Sequence, residues 1–121
     1  QFITRENQNK DVLVKFENLL DDYFETDKAK RLGLPTVQYC AEELCMSPNY
    51  FSDMLRKETG KTALNFIHDK VLDLAKTYLV SSENTITEIA YSLGFQYSQH
   101  FTRLFKKEVG CTPNEYRLQC V

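Results

Sequence analysis

Apolar residues along this chain recur at intervals of three and four, and nowhere in the sustained alternation of a strand. Within residues 11–25, Val12, Phe16, Leu19, Leu20, Tyr23 and Phe24 fall near helical spacing, behind Asp11 as a candidate N-cap. The polar, basic stretch from Thr26 ends in Gly33-Leu34-Pro35, which blocks helix continuation and reads as a loop. Thr36 then caps a short helix to about Cys45, and Ser47-Pro48 opens the next, with serine as N-cap and proline at the first helical position. Gly60 ends that helix, and Thr62 can cap a long one through about Val80, carrying Leu64, Ile67, Val71, Leu74, Ala75 and Tyr78 on one face. Ser81-Ser82-Glu83-Asn84 breaks the pattern. Thr85 with Glu88 forms a capping box, Gly94 is a turn, and Ser98 can cap a helix to about Val109. Thr112-Pro113-Asn114-Glu115 is a second capping box and starts a final helix through about Leu118. The pattern predicts an all-α chain of about seven helices.

The same text occurs twice. Thr36 to Leu44, then Phe51 to Thr62, recurs as Thr85 to Leu93, then Phe101 to Thr112, at offsets of 49 and then 50. The second copy therefore carries one extra residue between Leu93 and Phe101, and an insertion tolerated there marks a turn. Each copy reads as helix, turn, helix, closed by a glycine. The predicted organisation is an N-terminal connector helix and loop (1–35), a first helix-turn-helix (36–61), a linker helix (62–80), and a second helix-turn-helix with a C-terminal helix (81–121). A linker of about nineteen residues spans roughly 28 Å, and successive major-groove faces of B-DNA lie roughly 34 Å apart.

Composition narrows the function. A chain of 121 residues with 42% hydrophobic content can bury one modest core, and a lone unit of roughly 40 residues would be marginal by itself. No apolar run approaches the ~20 residues of a membrane span, and no secretory segment opens the chain. Gln1 in place of Met suggests a piece of a longer protein. Cys40, Cys45, Cys111 and Cys120 match neither paired zinc spacing nor a disulfide framework, so reduced thiols and a cytoplasmic setting are expected, with Cys40 in a helix core. His68 and His100 lie on different predicted helices without clustered carboxylates, so neither a metal site nor a cofactor is expected. No phosphate loop or nucleophile motif suggests an enzyme. The net charge of -2 is unusual for a DNA binder. Its distribution softens the objection: residues 1–30 hold five Lys/Arg against seven Asp/Glu, the remainder is neutral, and residues 98–110 carry Arg103, Lys106 and Lys107 against Glu108.

In the second unit Phe101, Leu104 and Phe105 make an inward stripe, so Gln99, Arg103 and Lys106 point away from it, with Thr102 and His100 on the flanks. Arginine pairs with guanine, and glutamine with adenine, through two parallel hydrogen bonds in the major groove. By the same wheel Phe51, Met54 and Leu55 bury in the first unit while Asn49, Asp53 and Arg56 project, flanked by Ser52 and Tyr50. Any surface helix is polar on one side; what favours base reading is the recurrence of the same turn before a helix of the same phase. The aromatic residues Tyr50, Phe51, Phe101 and Phe105 read mostly as core, with the Tyr50 hydroxyl a phosphate candidate. Lys57, His100, Lys106 and Lys107 complete the phosphate candidates. Asp53 can accept a hydrogen bond from cytosine N4, or pair with Arg56 and orient it toward a base.

The segment from Ile86 to Phe95, followed by Phe101 to Glu108 and Gly110 to Arg117, resembles the signature of the AraC/XylS family of bacterial transcription regulators. The resemblance covers residues 36–117. It implies two helix-turn-helix subdomains joined by one long helix, each inserting its second helix into the major groove of double-stranded DNA. It places base contacts on Asn49, Ser52 and Asp53, and on Ser98, Gln99, Thr102 and Arg103. Asp53 departs from the pattern, since family members often carry arginine there. The resemblance also implies RNA polymerase as a partner and an N-terminal sensing or dimerisation domain, to which helix 11–25 would be either the connector or a plain packing helix.

Two other functions compete with transcription regulation. An interaction module that keeps the fold without strong DNA binding is supported by the pI near 5.7. Cysteine-based alkyl transfer in DNA repair gains little from the cysteine spacing.

Overall fold

The computed structural model describes residues 5–119, with side chains from residue 8 onward, and among these residues there are eight helices and no strand. They are α1 (Arg5–Glu25), α2 (Lys28–Leu32), α3 (Val37–Glu43), α4 (Pro48–Thr59), α5 (Ala63–Ser81), α6 (Ile86–Ser92), α7 (Ser98–Val109) and α8 (Pro113–Gln119). Most starts are set by a side chain that satisfies an orphan amide of the first turn. Thr36 Oγ1 accepts from Tyr39 N at 3.0 Å, Ser47 Oγ from Tyr50 N at 3.2 Å, and Thr62 Oγ1 from Asn65 N at 3.1 Å. Thr85–Glu88 and Thr112–Glu115 form reciprocal capping boxes, with all four bonds between 2.9 and 3.1 Å. Gly60 and Gly110 end α4 and α7 in the left-handed region.

Several boundaries differ from the pattern-based expectation. Helix α1 is described from Arg5 onward, so Asp11 is not its cap; Asp11 lies inside the helix and pairs with Lys15 at 3.5 Å. The stretch expected to be a loop contains α2, held by the burial of Ala29. Ser98 is the first residue of α7 rather than its cap; that position falls to Tyr97, whose side chain makes no capping bond. The buried stripe of α5 runs through Ala63, Ile67, Val71, Leu72, Ala75 and Leu79. Leu64, one step and 100° round the wheel from Ala63, is 49% exposed instead.

The chain divides into two compact units. One gathers the described chain up to Thr26 with Pro35–His68, the other Asp27–Leu34 with the chain from Asp69, so α5 contributes to both. In the first unit Phe16, Leu20, Cys40, Ala41, Phe51, Met54, Leu55, Ala63 and Ile67 form a continuous core. Phe16 of α1 meets the ring of Phe51 edge-on at 5.0 Å and that of Phe66 at 5.8 Å, and burial of each such ring is worth roughly 2–3 kcal/mol. Helix α1 is thus a structural wall of this unit.

The second unit is closed from the other end of the chain. Phe101 lies 5.3 Å from Phe95 and 5.9 Å from Phe105, which meets Tyr116 of α8 at 5.6 Å. Arg117 Nε donates to Leu79 O at 2.9 Å and its Nη2 to Ser82 O at 3.3 Å, so α8 supplies donors to carbonyls at the end of α5. Gly94, at the turn between α6 and α7, has φ 103; a Cβ there would lie 2.7 Å from Gly33 C and 2.8 Å from Leu34 N. Only glycine fits this close approach.

Candidate nucleic-acid interface

Helix α7 is oriented by Phe101 and Phe105, both fully buried. With that side fixed inward, Ser98, Gln99, Thr102, Arg103, Lys106 and Lys107 line one open concavity of about 550 Å³. Gln99, Arg103, Lys106 and Lys107 are exposed, while Ser98 and Thr102 are half-buried. Apart from His100, the expected base-reading and phosphate-holding residues of the second unit thus share one surface. His100 stands outside the concavity and packs edge-on against Tyr97, 5.4 Å between ring centroids.

Helix α4 repeats the phase with different chemistry. Phe51, Met54 and Leu55 are buried, whereas Asn49, Asp53, Arg56 and Lys57 are exposed and Ser52 is half-buried. Tyr50, which the sequence grouped mostly with the core, is 52% exposed, in keeping with its separate reading as a phosphate candidate. Tyr50, Asp53, Met54, Lys57 and Glu58 line a smaller cleft together with Asn9 of α1. Asn49, Ser52 and Arg56 lie outside that cleft. Asp53 and Arg56 are not ion-paired among the described residues, so the orienting pair considered for them is unmade in the free protein.

One neighbour of this face escaped sequence reasoning. Asn9 Nδ2 donates to Glu58 Oε1 at 2.8 Å, bringing the start of α1 beside α4. Since residues 5–10 carry no apolar periodicity, nothing in the sequence extends the helix that far.

Burial, with a smaller contribution from Glu43, pushes the Cys40 thiol up to about 11, and a protonated, enclosed thiol is not a nucleophile near neutral pH. Cys45 and Cys111 are free thiols, exposed and half-buried respectively; Cys120 lies outside the described residues. Among the described residues no group of His, Cys, Asp and Glu is placed to hold a metal ion. No described helix is long and apolar enough to cross a membrane.

Two units, each presenting the polar face of the second helix after a short turn, define a tandem helix-turn-helix domain. A helix-turn-helix domain family matches residues 40–119, and the chain belongs to it, as an AraC-type DNA-binding domain of the kind found in transcription regulators rather than enzymes. It is 39% identical over 82 residues to an uncharacterized HTH-type transcriptional regulator, YobQ, of Bacillus subtilis, covering 68% of this chain and 34% of that protein. It is 31% identical over 80 residues to the arabinose operon regulatory protein of Escherichia coli, covering 66% of this chain and 27% of that one. The chain therefore spans about a third or less of these relatives. Among solved structures, the C-terminal domain of the two-component response regulator YesN from Fusobacterium nucleatum superposes with a TM-score of 0.77 at 26% identity, covering 88% of this chain and 98% of that one. The DNA-binding domain of the global transcriptional factor AdpA, solved in complex with a target DNA, superposes with a TM-score of 0.73 at 21% identity, covering 92% and 90%. That last likeness is one of fold.

Proposed function

We propose that this domain is a sequence-specific DNA-binding module of a transcription regulator, with α4 and α7 entering adjacent major grooves as the two reading helices. The gathering of Ser98, Gln99, Thr102, Arg103, Lys106 and Lys107 on one open face carries the proposal. Guanidinium and carboxamide groups there match base edges, and the ammonium groups match phosphates. In the second unit Ser98, Gln99, Thr102 and Arg103 read bases while His100, Lys106 and Lys107 hold phosphates. In the first, Asn49, Ser52, Asp53 and Arg56 read bases, with Tyr50 and Lys57 on phosphates.

The relatives' greater length leaves room for more chain in the whole protein, and by family resemblance we infer an N-terminal sensing or dimerisation domain, action in the cytoplasm and RNA polymerase as a partner. The low pI favours a second reading, protein docking without strong DNA binding. Selection of bound sites from a random duplex pool, followed by salt titration on the winner, separates the two. An asymmetric site with contacts about one DNA turn apart, and affinity that falls steeply with salt, is expected of DNA binding. No enriched sequence and a flat salt response would leave the docking reading.

A further inference from the structure

Helix α2 lies outside the segment matched by the family, which begins at residue 40. Its sequence, Lys28-Ala29-Lys30-Arg31-Leu32, places three cations in five residues beside one acid, Asp27, in a chain of net charge -2. The segment is anchored: Ala29 is 1% exposed, and the backbone of Gly33 and Leu34 sits against Gly94, in the turn between α6 and α7. Asp27 Oδ1 lies 3.2 Å from Arg31 Nε, restricting where that guanidinium can reach. Lys30 and Arg31 are both exposed, and they share a concavity with Tyr91 and Gln96, two residues ahead of α7.

The location limits what these cations can meet. In a helix-turn-helix the first helix crosses the sugar-phosphate backbone and the second enters the groove, so cations held beside the turn between them, as Lys30 and Arg31 are on α2, are placed nearer backbone than base edges. A flexible basic tail would lose conformational entropy on docking, whereas cations on a packed helix lose less. We propose that α2 is a DNA-backbone clamp, in which Lys30 and Arg31 each contact a phosphate flanking the groove entered by α7. The clamp supplies local positive charge that the acidic chain as a whole lacks, and neighbouring Gln96 and Tyr91 add donors for the same phosphate oxygens. This inference rests on the DNA-binding reading.

The test compares the unaltered protein with the double variant Lys30→Gln/Arg31→Gln, by fluorescence anisotropy on the selected site and on an unrelated duplex across a salt series. Lys15→Gln, on the first helix, serves as a control expected to change nothing. The clamp predicts a slope of log K against log salt shallower by roughly 0.9 per lost phosphate contact, about 1.8 for the pair. Affinity should fall by the same factor on both duplexes, with base preferences intact. If the double variant melts early, Lys30→Gln alone retains the Asp27–Arg31 pair and should lower the slope by about 0.9. A steep slope that neither variant alters, or a loss confined to one base pair, overturns the clamp while leaving DNA binding in place. Failure of the unaltered protein to bind any duplex removes both.

Discussion

Cys45 in the first helix-turn-helix and Gly94 in the second occupy the same place in the repeat, and both turn the backbone into the left-handed region, at φ 59 and 103. Their surroundings differ. Cys45 is exposed, so the first turn makes only a local demand that a side chain can meet at some cost in strain. Gly94 has backbone pressed against it, so the second turn makes the same conformational demand and a packing demand besides. The contrast extends outward. Ser47 caps α4 while α7 starts without a side-chain cap, and Asp53 on α4 stands where Arg103 stands on α7. Buried positions kept their character between copies, whereas the turn, the cap of the second helix and the exposed face diverged. The scaffold and the reading surface answer to different constraints.

The sharpest way to break this comparison is at the turns. Gly94→Ala should cost roughly 2–4 kcal/mol, combining left-handed strain with overpacking. Cys45→Gly should be neutral or stabilising by about 0.5 kcal/mol, because relief of strain is partly offset by the entropy of a new glycine. Urea denaturation of both variants measures the difference, and equal effects would mean that the two turns are equivalent.

On the reading faces, Arg103→Ala should weaken binding to the best site by ~1–3 kcal/mol and relax preference at one base pair. An equal loss on every sequence would reassign Arg103 to a phosphate. Asp53→Asn should alter preference at one base pair without that loss of affinity; uniform tightening on all duplexes would make Asp53 a restraint on nonspecific binding. For the caps, Ser47→Ala should cost about 1 kcal/mol of stability, while Ser98→Ala should stay within about 0.5 kcal/mol, since only the first removes a capping bond. Thermal melts would show whether that asymmetry holds.

The smallest effect concerns acid. Backbone and then side-chain hydrogen bonding with Thr85 holds the Glu88 carboxyl below the usual glutamate range, and Thr112 does the same for Glu115. A lowered folded-state value means that the stabilisation is present above the unfolded value and is lost as pH falls through the folded one. Among the caps of the first unit, Thr36, Ser47 and Thr62 are followed three residues on by Tyr39, Tyr50 and Asn65, none of which carries a carboxyl group that could close such a box. Amide exchange below the usual glutamate range should therefore rise in α6 and α8 before α3 and α4.

What the sequence disclosed follows from the same division. Caps are local chemistry, so Thr36, Ser47, Thr62, Thr85 and Thr112 were legible, and the Phe101/Phe105 stripe fixed which side of α7 faces out. Helix α2 was hidden because five residues ending before Gly33-Leu34-Pro35 carry no periodic signal, and the burial of Ala29 is a tertiary event. The start of α1 was hidden because residues 5–10 are polar throughout. Leu64 misled because a leucine beside Ala63 looks like the better core residue, and only packing chooses between neighbours on the wheel. The inserted residue was visible, but that the cap position of α7 falls on Tyr97 was not.

Arg117 also imposes an order on assembly. Its guanidinium reaches back 38 residues to Leu79, so the end of α5 is completed by the last described helix to be synthesised. Chains emerge N-terminus first, and the first unit has all its residues once His68 is made. Asp27–Leu34 is made by then, before α6 exists for it to rest on. A translation pause between His68 and Arg117 thus leaves a nascent chain in which one unit has all its residues and the other does not.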